Sequence, residues 1–200
     1  MFKTLLAGTV VFGMALAASA QPPTPTQSPK PTPTKADKTT DHAATADHAF
    51  VTKAAEGGMA EVKLGQLAAD KATSDEVKKF GQRMVTDHGK ANDELKSLAQ
   101  QKSITLPTDL NAKDKATYDR FSKLSGAAFD RAYMQHMLAD HRIDVNEFKK
   151  ESTSGKDPDV KAWAGKTLPT LEEHLKLAQD ANKAVGTSGT KEPASKPSKK

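Results

Sequence analysis

Apolar side chains recur every three or four residues along four long stretches of the chain, which is the spacing of an amphipathic helix. Strand signals are missing, because the sequence has no alternating β-branched runs and no Asn-Gly or Asp-Gly hairpin turns. The four long helices are predicted over residues 47–71, 73–102, 126–151 and from 157 onward. The domain is therefore predicted to be all-α.

Each predicted helix has one face on which apolar residues line up, and we call this face its seam. The seams are Phe50, Ala54, Gly57, Glu61, Leu64 and Ala68; Val77, Phe80, Met84, His88, Ala91, Leu95 and Leu98; Phe129, Tyr133, Met137, His141, Asp144 and Phe148; and Val160, Ala164, Thr167, Leu171, His174, Ala178 and Ala181. Thr73 and Glu76 are expected to form a capping box at the start of the second helix. Asp157-Pro158 is a typical helix start, and Pro169 is expected to bend the fourth helix.

The second and third long helices are joined by a long connection that carries a short extra helix near Tyr118 and Phe121. Two helices, a long crossover and two more helices are the connectivity of a ferritin-like four-helix bundle. We therefore predict that architecture. Met84-x-x-Asp87-His88 and Met137-x-x-Asp140-His141 are similar, which suggests halves related by a pseudo-twofold axis.

The ends of the chain differ in composition from this domain. Residues 1–20 have the charge, apolar run and small-residue cleavage site of a signal peptide. Residues 21–40 form a Pro/Thr-rich linker, and 186–200 form a basic tail that we expect to be disordered. The bundle domain is thus predicted over 41–185, in an exported protein that is periplasmic or envelope-associated.

Most of the positive charge belongs to the two arms rather than to the domain. The formal charge of the chain is +5, but residues 41–185 alone have a net charge of −1. We therefore expect no nucleic-acid partner. The linker or the basic tail could contact anionic envelope polymers. No apolar run long enough to span a bilayer follows the signal peptide, and the chain has no cysteine. Neither pattern nor composition indicates an oligomeric state.

Five of the six histidines directly follow a carboxylate residue. Two of these pairs, Asp41-His42 and Asp47-His48, lie at the edge of the linker and the start of the first helix. The other three pairs lie near the middle of long helices, and their histidines are His88, His141 and His174. A histidine on an apolar face belongs either to a hydrogen-bonded polar layer or to a metal site.

The candidate metal ligands are Glu61, His88, His141 and His174, one from each long helix. Imidazole and carboxylate donors suit a transition metal such as copper, zinc or iron. Their neighbours Asp87, Asp140 and Glu173 are candidates for orienting the imidazoles. They could equally pair with Arg83, Arg131 or Arg142 across helix interfaces.

A count of helical rise from each turn tests whether these residues share a level. Glu61 and His88 come within roughly 5 Å of the same level, so they are expected to meet. His141 and His174 differ by roughly 10 Å in this count, which leaves open one shared site or two smaller polar clusters. His136 matches the level of His174 better, and is a further candidate ligand.

Four segments of the chain resemble an exported bacterial family. They are Ala-Glu-Val-Lys-Leu-Gly at 60–65, Phe-Gly-Gln-Arg-Met-Val-x-Asp-His at 80–88, Phe-Asp-Arg-Ala-Tyr-Met at 129–134 and Leu-Pro-x-Leu-x-x-His at 168–174. The family is the domain of unknown function family 4142, often labelled "predicted outer membrane protein". The resemblance implies a ferritin-like four-helix fold but brings no established activity or ligand set.

Enzymatic chemistry has little support in the sequence. There is no cysteine, no Gly-x-Ser-x-Gly and no phosphate-binding loop. The Glu-x-x-His pair of di-iron carboxylate proteins is also missing, since Val85, Leu138 and Leu171 stand three residues before the histidines. We expect a non-enzymatic helical bundle that binds a metal ion or a partner. The alternatives are a metal-dependent enzyme or metal store, and a purely structural or interaction domain.

Overall fold

Five helices make up most of the described part of the chain. The computed structural model describes the backbone of residues 38–188 and the side chains of 45–186. The helices are α1 (Lys38–Lys71), α2 (Asp75–Gln101), α3 (Ala112–Ser122), α4 (Gly126–Ser154) and α5 (Pro158–Ser188). No strand occurs in this range, which confirms the all-α prediction. Within the same range, no helix combines the length and apolarity needed to cross a membrane.

The outer helices extend beyond their predicted boundaries. α1 begins at Lys38 instead of Asp47, and α5 continues to Ser188, past the predicted domain end at 185. α5 also continues through Pro169, so this proline does not end the helix. The predicted signal peptide, the linker up to residue 37 and the tail from 189 lie outside the described residues.

The four long helices form two hairpins, α1 with α2 and α4 with α5, and α3 lies in the crossover against α1 and α4. This confirms the predicted four-helix bundle. In the first hairpin, a Cβ atom on Gly65 would lie 2.7 Å from the carbonyl oxygen of Gly81, and the reverse substitution would meet the same distance. Because only glycine permits this approach, α1 and α2 pack closely one turn from Glu61.

Two apolar clusters fill the bundle, with a polar layer between them. One cluster includes Leu64, Phe80, Met84, Phe129 and Met137. The other includes Val51, Leu95, Phe148, Trp163 and Leu171. Each long helix contributes to both clusters, and its ionisable seam residue lies between its two contributions. These residues are Glu61, His88, His141 and His174, all buried.

The predicted seam of the first helix is displaced by one residue at its N-terminal end. The fully buried residues there are Val51 and Ala55, whereas Phe50 and Ala54 are only partly buried against the same cluster. Apolar residues at both i and i+1 leave the helix rotation undecided in the sequence. The ring of the partly buried Phe50 packs against Phe148 (5.0 Å between centroids) and Trp163 (6.2 Å), so both sets contact the second cluster.

Two buried aspartates hold the turns of the opposite hairpins. Asp130 on α4 accepts hydrogen bonds from the backbone N–H groups of Thr73 (3.0 Å) and Ser74 (2.9 Å) and from the Thr73 hydroxyl (2.5 Å). Asp47 on α1 accepts bonds from the backbone N–H groups of Lys156 (2.9 Å) and Asp157 (2.5 Å). Each carboxylate therefore caps a helix start in another part of the chain.

These bonds correct two predictions. The capping box is wrong, since the N-cap is Ser74 and Thr73 is held by Asp130 instead of by Glu76. Along the sequence, Asp130 follows Asp47 by the same number of residues as Lys156 follows Thr73. The two halves of the bundle therefore correspond when α1 is matched with α4. The Met-x-x-Asp-His repeat had suggested instead that α2 corresponds to α4.

Glu151 lies in the last turn of α4, next to the α4–α5 connection, and is buried beside Asp47. Its Oε1 atom has no hydrogen-bond partner among the described residues. Burial raises the pKa of Glu151, and the neighbouring Asp47 carboxylate raises it further. The folded protein therefore binds a proton at this position more tightly than the unfolded chain does, so this residue costs stability as the pH rises above about 4.5, the ordinary pKa.

Glu151→Gln is expected to raise the free energy of unfolding at pH 7 by about 1 kcal/mol, because the amide can donate to Asp47 without carrying a charge. The gain should shrink at pH 4, where the wild-type carboxyl is protonated in both states. Urea unfolding at the two pH values measures the difference. The exposed Glu172→Gln on α5 is the control and should change neither value. A gain of the same size at both pH values would contradict the account.

Candidate metal centre

Three histidines from three different helices converge in the polar layer. His88 lies on α2, His141 on α4 and His174 on α5, and the exposed fractions are 7%, 0% and 0%. Their ring centroids are 5.2 to 5.8 Å apart. One ring nitrogen from each lies within 4.8 Å of the other two, a spacing that could hold a metal ion. We call these residues the histidine triad.

Hydrogen bonds of His141 and His174 determine which nitrogen of each ring is left free. Nδ1 of His141 donates to the carbonyl oxygen of Met137 at 3.0 Å, and Nε2 of His174 donates to Asp87 Oδ2 at 2.8 Å. The other nitrogens, Nε2 of His141 and Nδ1 of His174, are buried and have no partner among the described residues. Neutral imidazoles in these tautomers present lone pairs on those two atoms.

Glu61 on α1 supplies the negative charge of the layer. Its Oε2 lies 2.8 Å from His88 Nε2, and its Oε1 lies 3.3 Å from His141 Nδ1. The His88 contact is an ion pair without the alignment of a directed hydrogen bond, since His88 Nε2 has no hydrogen-bond partner. The predicted contact between Glu61 and His88 is thus present.

The charges of these groups depend on one another. Burial raises the pKa of Glu61, but the facing histidines outweigh it and lower the value to about 2. Burial lowers the pKa of His88, yet the Glu61 charge more than compensates and leaves it raised. For His174, burial dominates over the Asp87 bond and lowers the pKa to about 4. The carboxylate is therefore ionised at neutral pH, while His174 is neutral and able to donate a lone pair.

Asp87 combines the two roles that the sequence left open. Its carboxylate accepts a hydrogen bond from His174 and also pairs with Nε of Arg83. Nη2 of Arg83 in turn contacts Glu173 Oε2 at 3.0 Å. Burial raises the pKa of Asp87, but the bonds from Arg83 and His174 hold it below its ordinary value. Glu173 thus acts on the layer only through Arg83.

Asp140 lies in a different position from Asp87. It forms no hydrogen bond or ion pair with an imidazole of the described residues, and instead belongs to a group of three carboxylates with Glu61 and Asp144, in which one oxygen of each lies within 4.8 Å of the others. Burial and the Glu61 charge raise its pKa to about 6. The pKa of Asp144 is raised well above its ordinary value for the same two reasons. Asp144 was absent from the predicted site, although its place on the inward seam was a signal for it.

His136 does not join the triad. Its ring packs 5.3 Å from that of Phe121, over which Arg120 also lies. Burial, followed by the charge of Arg120, lowers its pKa. It lines the cavity described below, so it faces the same part of the bundle without reaching the three histidines.

The predicted separation of His141 from His174 is wrong, since their ring centroids are 5.4 Å apart. The count treated the turn after Ser154 as if it had helical rise. α4 ends at Ser154 and α5 starts at Pro158, so the residues between add no height along the bundle. When the rise is counted from the end of α4 and the start of α5, the levels of His141 and His174 along the bundle axis differ by roughly 4.5 Å, a distance that side chains can span. His141 and His174 therefore belong to one polar layer, which was one of the two arrangements that the sequence left open.

A cavity of about 610 Å³ opens beside the layer and is lined by residues from all five helices. Glu61 and His88 line its inner part, together with Asp140 and Asp144. His141 and His174 do not line it. The layer is thus approached from one side of the bundle.

The residues of the layer fit a transition metal ion. Two unpaired imidazole nitrogens, a third imidazole and an ionised carboxylate form a donor set of nitrogen and oxygen atoms, which suits copper, zinc or iron. Asp87 behind His174 and the Met137 carbonyl behind His141 have the positions of outer partners that orient metal-binding imidazoles. Buried polar groups without partners are otherwise costly.

Solved structures share the fold of this chain. CopM in the Cu(I)-bound form is 19% identical, with a TM-score of 0.58, and the match covers 69% of this chain and 96% of that one. A DUF305 fragment from Deinococcus radiodurans is 11% identical, with a TM-score of 0.60 and coverage of 70% and 95%. At these identities the likeness shows the fold alone. No curated protein matches the chain.

The model of one protein family matches most of the chain. It is described as a domain of unknown function, DUF4142, and it matches residues 31–181. This range includes all three histidines, Glu61 and both capping aspartates. The chain therefore belongs to the DUF4142 family, as its sequence motifs predicted.

Proposed function

We propose that the protein binds a transition metal ion in the bundle core through the histidine triad and Glu61. The observation that carries this proposal is that Nε2 of His141 and Nδ1 of His174 are buried without a partner among the described residues, while one ring nitrogen of each of the three histidines lies within 4.8 Å of the other two. A metal ion would accept these two lone pairs together with one from His88, in place of the proton that pairs His88 with Glu61. The carboxylate of Glu61 partly neutralises the charge of that ion.

A polar layer in which the side chains satisfy one another's hydrogen bonds explains these contacts less well. In such a layer each buried donor would meet an acceptor, and each lone pair a donor. Here one nitrogen of His141 and one of His174 are hydrogen-bonded, whereas Nε2 of His141 and Nδ1 of His174 are buried and receive no donor from the described residues. Buried lone pairs of this kind are costly unless a cation or a water satisfies them.

Copper is the metal that we propose. For a given set of nitrogen and oxygen donors, copper(II) binds more tightly than zinc or iron(II). The fold neighbour CopM was solved with Cu(I), which supports the same choice. The buried Met84 and Met137, one turn before His88 and His141, belong to the apolar cluster and are not part of the proposed ligand set.

A binding role is favoured over catalysis. Three imidazoles and one carboxylate fill a four-coordinate shell with protein donors, which is the arrangement of closed sites, whereas catalytic sites keep one position open. We propose a non-enzymatic binding protein of the bacterial envelope, exported by residues 1–20 and held by the linker that precedes α1 at Lys38. A metal-dependent enzyme remains the alternative.

The metal proposal predicts uptake of one equivalent of copper(II) by the purified, chelator-treated protein. Saturating metal at 100 times its dissociation constant should add about 2.7 kcal/mol to the free energy of unfolding. His141→Gln and His174→Gln should each weaken binding by about 100-fold, measured by titration with a competing chelator. Asp87→Asn should weaken it by about tenfold, because a neutral amide oxygen holds the His174 N–H less strongly than the carboxylate does.

His136→Gln is the matched control, since His136 lies on α4 and lines the same cavity but stays outside the triad. Its affinity should remain within about threefold of the wild type. Equal losses in this variant and in His141→Gln would contradict a defined site. A failure of copper, zinc and iron to bind or to stabilise the protein would leave only the polar-layer explanation.

The export proposal predicts a mature N-terminus at Gln21. Mass spectrometry of the protein recovered from the envelope fraction of a producing bacterium would measure it. Recovery of the chain with Met1 in the cytoplasmic fraction would contradict export. Replacing Ala18 and Ala20 by larger residues should block cleavage, because the processing site requires small side chains.

A further inference from the structure

Three carboxylates form a second group beside the histidine triad. Glu61 comes from α1, and Asp140 and Asp144 come from successive turns of α4. One oxygen from each lies within 4.8 Å of the other two. Like charges at such distances repel strongly where water is partly excluded, so the group requires either protons or a cation.

No described side chain forms an ion pair with Asp140 or Asp144, and the charges of Lys113 and Lys53, which line the same cavity, act on these aspartates only from beyond ion-pair distance. Neither Asp140 nor Asp144 forms an ion pair or a hydrogen bond with another described residue, whereas Lys53, on the same cavity wall, pairs with Glu147. Glu61 pairs only with histidines, which lie on its other side. The two aspartates thus face the cavity with unpaired oxygens.

A second observation on Glu61 points to a ligand. This side chain is 1% exposed, yet its Oε1 accepts no hydrogen bond. The nearby Nδ1 of His141 directs its proton to the Met137 carbonyl instead. A buried carboxylate oxygen left without a donor is costly, and a cation between Glu61 and the aspartates would satisfy it.

The relation between the two halves of the bundle also supports a cation between Glu61 and the aspartates. The spacing that separates Asp47 from Asp130 also separates Glu61 from Asp144. Asp144 is therefore the counterpart of Glu61 on the other hairpin, and the two carboxylates approach each other from matching positions of α1 and α4.

We propose that Glu61, Asp140 and Asp144 bind a second, oxygen-preferring divalent cation, with Glu61 shared between this site and the histidine triad. Three carboxylates are the donors that manganese, magnesium and calcium prefer. The adjoining cavity leaves room for water ligands to complete the coordination shell. The site uses none of the three histidines, so it does not depend on the identity of the metal that they bind.

Protons are the alternative occupants of the three carboxylates. The test is a titration of the purified, chelator-treated whole chain with Mn²⁺ at pH 7.5, in which electron paramagnetic resonance counts the free ion. We expect one bound Mn²⁺ in the wild type. Asp144→Asn and Asp140→Asn should each weaken its binding by at least about tenfold while leaving copper uptake by the triad at one equivalent.

Glu147→Gln is the matched control, because it removes the same charge from the same helix and cavity but from outside the carboxylate group. It should leave Mn²⁺ affinity within about twofold, and so should His174→Gln. Absence of Mn²⁺ binding in the wild type, or equal weakening by Glu147→Gln, would overturn the second site. Because the triad is assayed separately with copper, that result would leave the metal proposal for the triad standing.

Both aspartate variants are expected to fold, since each replaces a half-buried acid with a neutral side chain of the same shape. Circular dichroism checks this. If one of them fails to fold, the other provides the same comparison with Glu147→Gln.

Discussion

The buried charge of Glu61 is the constraint on which the centre of this bundle depends. A carboxylate in an apolar core is tolerated only beside compensating groups, and here His88 and His141 provide them within 3.3 Å. Each compensating imidazole comes from a different helix, and His174 completes the set from α5. The need to compensate one charge thus fixes the relative rotation of all four long helices. The apolar clusters on either side exclude water from this layer.

The same bundle is held at its ends by the buried aspartates of opposite hairpins. Asp130 binds the turn before α2, and Asp47 binds the turn before α5. These contacts set how far each hairpin slides along the other, and therefore which residues of α1 and α4 face each other at the centre. Close packing at Gly65 and Gly81 does the same within the first hairpin. The polar centre is positioned by backbone constraints as well as by its own charges.

Local patterns in the sequence were sufficient to predict the helices. They also predicted the contact between Glu61 and His88, because the levels of both residues are counted from one short turn. They were insufficient where a distant group decides the outcome. Asp130 from α4 takes the hydrogen bond that a capping box would have used, and the residues after Ser154 do not add helical rise. Asp144 could not be assigned to a site from its own helix, since its partners come from α1 and from the preceding turn.

Extended X-ray absorption fine structure of the copper-loaded protein tests the central claim most directly, because it identifies the donor atoms themselves. The account predicts three imidazole rings and one oxygen donor, with first-shell distances of about 2.0 Å. A first shell that contains sulfur would assign the metal to the methionines of the apolar cluster. A shell with fewer than two imidazoles would show that the histidine triad is not the metal site.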